Sequence, residues 1–493
     1  MANPQVLIIG AGISGLSTAW WLARQGIAVE VWEADGRPGG KIQSTHEAGY
    51  LTERAAGLLV NFRPEIDRLV DQCGLAGSKR TRPDDLNRYV VHRGRLTAVP
   101  MRVAGLIHSP LWSWQAKLRL LAEGFIPRGE QPGESASRFI TRRLGREVLE
   151  TAFDPFIAGT LASDPALAEA RSVLPRLTAL EQRYGSITLG VLINSLLKKK
   201  KRRANSADTF SFQGGMSELT DRLSRAPGVS IRYHTRVTGI EPAGRGWRVT
   251  ARSGTGTDSG MAAPGRPCPC GISESLHVAT PALQVPQLVI TTPADSAAML
   301  LSDLDRSLSG LLAQISYAPV SIVHLGMDER QVGHPLDGTG FLVPGKEKLG
   351  FNGNLWMSRL FPGRAPEGKT LLTSYLGGAR QADSIGWSDE RIVSLLLGQL
   401  SPLIGLQGEA DYIRVDRHPR GLPLYHGQHQ ARVEAIRARL SNHPGLHLTA
   451  NYLDGVSVRD RIFQGSRTAR AILESLPRAT LQQAIRTTHA LTA

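Results

Sequence analysis

The run Gly10-Ala11-Gly12-Ile13-Ser14-Gly15 constrains this chain most, because it directly follows the apolar stretch Val6-Leu7-Ile8-Ile9 and opens a helical pattern. Residues 4–35 therefore read as strand, glycine turn, helix and strand, a single βαβ unit. Gly10 permits the tight turn, Gly12 lets backbone N–H groups approach a pyrophosphate, and Gly15 lets the helix pack closely on the strand. The helix N-terminus then faces negative charge. Glu33 ends the second strand, 18 residues beyond Gly15, where a carboxylate accepts from ribose hydroxyls.

An acid at that position disfavours a 2′-phosphate and so argues against NADP. Just beyond it, Ala34-Asp35-Gly36-Arg37-Pro38-Gly39-Gly40-Lys41 places a glycine pair ending seven residues after Glu33. That is a second close backbone approach to the same cofactor, which simple NAD dehydrogenases lack. The reading is FAD.

The remaining chain alternates. Residues 87–206 read as mostly helical, with helical spacing over 112–125 and 135–153; α/β patterning returns from Phe210, and 253–279 read as a long surface loop. Helices are expected at 216–223, 430–440 and about 458–476, and strands at 229–233, 247–251 and 446–449. No run of about 18 apolar residues occurs, and no basic leader precedes the first strand. Cys73, Cys268 and Cys270 are too few for a disulfide framework, which fits a reducing compartment. Cys268-Pro269-Cys270 has no second ligand pair at metal spacing, so no metal is expected.

The net charge of +15 has three readings: nucleic acid, an anionic membrane, or a poly-anionic small substrate. Residues 101–206 hold 17 Lys/Arg against 9 Asp/Glu, in the segment that also carries the apolar helices, which favours a membrane surface. No helix-turn-helix, zinc-finger or RNA-binding signature supports nucleic acid. Trp112 and Trp114 beside Leu111, with Lys117 and Arg119 close by, suit an interfacial helix, as does 192–197 leading into Lys198–Arg203 (KKKKRR). The plain alternative is a core pair of tryptophans and a solvated loop.

Residues 6–54, with EADGRPGGKIQSTHEAGYLTER, resemble the protoporphyrinogen oxidases within the flavin amine-oxidase superfamily. So do NRYVVHRGRLTAVP (87–100), LPRLTALEQRYGSI (174–187), FSFQGGMSELTDRL (210–223), LFPGRAP (360–366), LTSYLGGAR (372–380) and GLHLTANYLDGVSVRDRI (445–462), in the family's order over nearly the whole chain. The resemblance implies an α/β fold: a Rossmann-like FAD-binding domain of the amine-oxidase (GR2) type, a mixed-sheet substrate domain and a helical membrane-associating insert. These would span 1–86, 207–295 and 431–485; 296–430; and 87–206, with 486–493 as a tail.

By the same resemblance, non-covalent FAD would be met by Gly10, Ala11, Gly12, Ile13, Ser14 and Gly15, then Glu33, Ala34, Arg37, Gly39, Gly40 and Lys41. Ala55, Ala56, Gly57 and Leu58, Val237 near the adenine, and Asn451, Gly455, Val456, Ser457 and Val458 beside the flavin complete the set. A helix N-terminus after Asp454-Gly455-Val456 would face flavin N1/O2. Two positions depart from the pattern of many relatives: Ala450 stands where they have Gly, and Ala55-Ala56 where they have Gly-Pro.

The implied reaction is oxidation of protoporphyrinogen IX late in haem synthesis, by hydride transfer to flavin N5 with O₂ or another acceptor. No dedicated nucleophile is required, because positioning does most of the work. Arg88 matches a propionate-binding arginine, Tyr375 an aromatic that stacks on the macrocycle, and Leu355 the neighbouring wall. Asn352 falls where an apolar residue is expected. Implied partners are the tetrapyrrole, an anionic membrane on the inner face of the cell membrane, and a ferrochelatase-type protein or a second copy. The competing readings are a coproporphyrinogen oxidase, an amine oxidase, a carotenoid desaturase, and a non-catalytic flavoprotein that binds porphyrin.

Overall fold

The structure, a computed structural model, describes residues 4–100, 105, 108–129, 131–198, 208–254 and 278–477. Strand β1 (Val6–Ile9), helix α1 (Ile13–Ala23) and strand β2 (Val29–Trp32) form the βαβ unit. β1 is buried along its whole length, and each large aliphatic side chain hidden this way contributes about 1.5–3 kcal/mol. A continuous apolar run is what a strand covered on both faces requires.

β1 is central in a five-stranded parallel sheet, in the order Val229–Arg232, β2, β1, Gln287–Ile290, Leu446–Leu448. Its strands come from three distant parts of the chain. On one face α1 crosses the C-terminal helix Val458–Ser475 so closely that a Cβ at Gly465 would lie 2.4 Å from Ser17 Oγ. The expected helices and strands outside β1–α1–β2 appear with bounds shifted by at most two residues, for example Ser217–Ser224 and His429–Leu440.

The second large sheet is mixed and seven-stranded: Tyr412–Pro423, Tyr317–Asp328, Lys369–Gly377, Gly353–Trp356, Gly338–Leu342, Asn87–His92, Arg95–Ala98. All pairings are antiparallel except Gly338–Leu342 with Asn87–His92. Helices of the 87–206 segment follow the hairpin Asn87–Ala98, whose second strand forms the sheet edge. Because side chains alternate across a sheet, the register fixes its two faces. Val91, Val323, Leu325, Phe341, Trp356 and Leu372 pack under the helix Asp389–Ile404. The pairs Leu342–Val90, Gly340–Leu355, Gly353–Tyr375, Leu355–Thr373, Ile322–Tyr375 and His324–Thr373 share the other face, and Arg88 shares it with Val90.

Among the described residues no helix is long and apolar enough to cross a membrane. The predicted loop over 253–279 and the KKKKRR run lie almost wholly outside the described residues. Trp112, read from sequence as interfacial, is buried instead, and its Nε1–H donates to Thr151 Oγ1 at 2.7 Å. Trp114 is 68% exposed. The residues are two apart on a bent segment, so they fall on opposite sides of it.

Candidate functional site

The glycine turn is built for a ligand on one side only. A Cβ at Gly15 would sit 2.0 Å from the Gly10 carbonyl oxygen, so that position serves the fold. A Cβ at Gly12, the N-cap of α1, would meet nothing within 4 Å, so the opening there faces free space. α1 has no side-chain cap and no acidic residue in its first turn. Its leading N–H groups and positive dipole end are therefore available to an anion. Ile13 and Ser14 begin this turn.

Glu33 reaches back to the turn. Its carboxylate accepts from the Ala11 N–H at 2.6 Å and from the Asp35 N–H at 2.9 Å. Burial pushes its pKa up, opposed by those N–H donors. The second loop closes on the same spot. The Gly39 N–H donates to the Ala11 carbonyl at 2.8 Å, and a Cβ at Gly40 would lie 3.3 Å from Gly12 Cα. Both glycines have positive φ, 99° and 59°.

Two charged residues of this loop face its backbone. Arg37 donates to the carbonyls of Gly40 (2.7 Å), Pro38 (3.1 Å) and Ile42 (3.3 Å), holding the glycine pair in place. Lys41 Nζ donates to Gly421 O at 2.6 Å and to Arg420 O, joining the loop to the seven-stranded sheet. Ala34 is half-buried between Glu33 and this loop. Val237 is buried with Leu7, Ile9 and Trp32, beneath the β1–β2 side of the site.

The C-terminal segment forms a separate turn. Tyr425 Oη donates to Asn451 O and accepts from the Gly455 N–H at 3.1 Å. Ser457 caps the last helix, its Oγ accepting from the Asp460 N–H at 3.2 Å, while Val456 and Val458 flank it. Ala450 is buried in the same apolar core cluster as Tyr452.

Ala55, Ala56, Gly57 and Leu58 lie where the two sheets meet. Ala56 packs on the βαβ core, and Leu58 on a cluster with Tyr50, Met357 and Phe361. His324 Nε2 lies 3.1 Å from Glu53 O, and His418 Nε2 lies 2.6 Å from Arg54 O. Glu53 itself, almost fully buried, is held by Arg364 Nη1 at 2.7 Å, Ser44 Oγ at 2.7 Å and the Met216 N–H at 2.9 Å.

The sheet face that meets this junction carries Tyr375, Leu355 and Arg88. Burial, and then the Glu53 charge, push the Tyr375 hydroxyl pKa up. Leu355 is partly buried, and Arg88 is exposed toward the sheet edge. Asn352 Nδ2 donates to Gly377 O at 2.9 Å and its N–H to Tyr375 O at 2.8 Å, so it braces the strand that bears Tyr375. A polar side chain in that role replaces the apolar one expected there.

Sequence reasoning missed an arginine cluster on Phe62. The Arg176 and Arg459 guanidinium carbons lie 4.1 Å from its ring centroid, and Arg63 lies 3.8 Å from that of Phe463. Asp460 pairs with Arg459, and the neighbouring arginines depress the Arg176 pKa further after burial. The three positions are far apart in sequence, so no motif marks them. Among the described residues, no three His, Cys, Asp or Glu side chains converge to hold a metal.

A parallel sheet with an open glycine turn, a ribose-side acid and a mixed sheet facing them defines a dinucleotide-binding oxidoreductase. The chain belongs to the flavin containing amine oxidoreductase family, which it matches over residues 13–473. It is accordingly a flavin-dependent oxidoreductase. It is similar to the mitochondrial protoporphyrinogen oxidase of Nicotiana tabacum, with 28% identity over 96% of this chain and 95% of that one. It is also similar to the coproporphyrinogen III oxidase of Bacillus subtilis (strain 168), with 28% identity over 93% of this chain and 96% of that one. A crystal structure from Exiguobacterium sp. 255-15, named provisionally as a protoporphyrinogen oxidase, shares the fold with a TM-score of 0.76 and 21% identity, over 96% of this chain and 100% of that one.

Proposed function

We propose that this protein oxidises a porphyrinogen to the porphyrin, with non-covalently held FAD as hydride acceptor and O₂ as the final oxidant. Loss of six electrons and six protons restores aromaticity, which matches three O₂ reduced to three H₂O₂. The observation that carries the reading is the register placing Arg88, Leu355 and Tyr375 on one sheet face, which also bears His324, 3.1 Å from Glu53 O just before Ala55. An apolar disc with carboxylate arms fits such a surface.

Bound FAD supplies the two-electron acceptor. Gly10–Gly15 and Glu33 hold its phosphate and ribose end, while Ala55–Leu58, Asn451 and Gly455–Val458 enclose the flavin end. Arg88 grips a carboxylate in a two-pronged fashion that Lys cannot copy, and so sets which carbon lies over the ring. Tyr375 and Leu355 keep the macrocycle flat and dry. Pyrrole N–H protons leave to water, so no side-chain base is assigned. Arg88→Ala is expected to raise KM at least tenfold with kcat little changed, and Arg88→Lys to restore only part. Unchanged KM in both would remove Arg88 from substrate binding.

The cluster of Arg63, Arg176 and Arg459 favours a second reading, coproporphyrinogen III, whose four propionates need cations at more than one edge. Phe62 and Arg459 follow closely in sequence the two segments read as flavin-side, which supports a positive, aromatic-lined patch beside the same site.

Attachment to an anionic membrane rests on exposed apolar side chains. Trp114, Leu118, Leu121 and Phe125 (90% exposed) line one segment, and Leu189, Val191 and Leu192 the adjoining helix Ile187–Lys198. Lys117 lies 4.8 Å from the Trp114 ring. Such a stripe suits peripheral seating on the inner face of the cell membrane, beside a ferrochelatase-type protein or a second copy. Anionic liposomes should retain the protein at low salt and release part of it near 0.5 M salt. Absence of binding at low salt would remove the membrane from the account.

A further inference from the structure

The C-terminal helix buries Val458, Arg461, Ile462, Gly465, Ala469 and Ile472. Arg461 thus occupies the apolar stripe of an amphipathic helix, at the i+3 position from Val458. Its side chain is 3% exposed, and Nε, Nη1 and Nη2 all lack a hydrogen-bond partner. An unpaired buried cation costs several kcal/mol, so a chain keeps one only where an anion arrives. Position adds to the cost, because Arg461 sits in the first turn of its helix, where the dipole is already positive.

Among the described residues no carboxylate answers it. Asp460 is held by Ser457 and Arg459, and Asp454 is bonded to Arg437 at 2.5 Å. The hydroxyls of Tyr425 and Tyr452, which also act on Arg461, are neutral. Tyr425 Oη serves the Asn451–Gly455 turn, and the His429 ring stacks on Tyr425 at 4.2 Å. Both ring nitrogens of His429 and the Tyr452 hydroxyl are also without partners. The backbone of Arg461 packs on the dinucleotide half, its carbonyl oxygen 3.5 Å from Ser17 Oγ of α1, two residues past the glycine motif, and Arg461 follows Val458 of the segment read as flavin-side by one helical turn.

We propose that Arg461 is a cofactor-positioning residue whose guanidinium neutralises an anionic group of bound FAD. Two parts of that molecule share the chemistry, the pyrophosphate and the reduced ring, which carries negative charge at N1/O2. The inference rests on the flavin reading. A wild-type protein that takes up no FAD would defeat that reading, whereas the outcomes below are all measured on wild-type protein that binds it.

The experiment compares wild type with Arg461→Met and Arg461→Lys, each as apoprotein and after loading with FAD. Removing an uncompensated charge should leave the Arg461→Met apoprotein at least as heat-stable as wild type, while its gain in Tm on adding FAD shrinks. If the pyrophosphate is the partner, FAD and ADP-ribose both bind Arg461→Met at least tenfold more weakly and the flavin midpoint potential is unchanged. If the reduced ring is the partner, ADP-ribose binding is unchanged and reduced FAD loses at least tenfold in relative affinity. That is a fall of about 30 mV for a two-electron couple. Arg461→Lys should recover part of either effect. An Arg461→Met apoprotein that melts lower, or FAD affinity, ADP-ribose affinity and potential all within twofold of wild type, would overturn the proposal.

Discussion

The Glu33 carboxylate accepts the Ala11 N–H at 2.6 Å, so the end of β2 is tied to the middle of the glycine turn 22 residues earlier. One side chain thereby sets the turn's shape and presents an acid where a ribose would lie. Glu33→Ala is expected to weaken FAD binding by about ten- to a hundredfold, or about 1.4–2.8 kcal/mol, with Glu33→Gln intermediate. Flavin retained through gel filtration and titration of the apoprotein check this; full retention in Glu33→Ala would contradict it.

Gly12 and Gly15 separate ligand from fold. Gly12→Ala should leave the apoprotein's Tm within a few degrees of wild type and still abolish flavin uptake, since its methyl group enters only the open cradle. Gly15→Ala should lower the apoprotein's Tm markedly, because its Cβ would lie 2.0 Å from the Gly10 carbonyl oxygen. Equal effects of the two on the apoprotein would contradict this division.

The Glu53–Arg364 pair joins the hairpin before Ala55 to the loop after the strand Gly353–Trp356, and both side chains are almost fully buried. Arg364→Met should cost about 3–5 kcal/mol by leaving a buried carboxylate short of its partner. Adding Glu53→Gln should recover part of that loss. Urea unfolding of the two single variants and the double variant measures the coupling, and strictly additive losses would contradict it.

Burial lowers the His324 and His429 pKa values to about 4. Both stay neutral in the folded protein while the unfolded chain takes up protons from about pH 6.5 downward. Stability from these groups is thus complete above pH 6.5 and is lost as pH falls toward 4, by up to about 1.4 kcal/mol per pH unit for each. Urea midpoints at pH 7.5, 6.0 and 5.0 test this. His324→Gln, which keeps a donor for Glu53 O, should flatten the slope; an unchanged slope would contradict the assignment.

The dinucleotide half is legible because its signals are local: Gly10 to Gly15, Glu33 and Gly39-Gly40 lie within one βαβ unit and its loop. The substrate face is less so. Arg88 joins Leu355 and Tyr375 only through pairing of Asn87–His92 with a strand about 250 residues away, and no spacing rule reports such a pairing. The resemblance named those residues, and the register supplies their common face. Arg37 and Lys41 read as ligand contacts, but their cationic heads are engaged with backbone carbonyls. Arg461 had a readable signal, a charge on an apolar stripe, which is easily taken for surface when the helix is short of flanking context. The cluster on Phe62 had none.

The most direct test is anaerobic rapid mixing of the purified yellow protein with protoporphyrinogen IX and, separately, coproporphyrinogen III. The account predicts that one of them bleaches the oxidised-flavin band and that porphyrin fluorescence and H₂O₂ appear on admitting air. Faster bleaching by coproporphyrinogen would favour the reading drawn from Arg63, Arg176 and Arg459. A flavin band that neither substrate bleaches would contradict porphyrinogen oxidation by this protein.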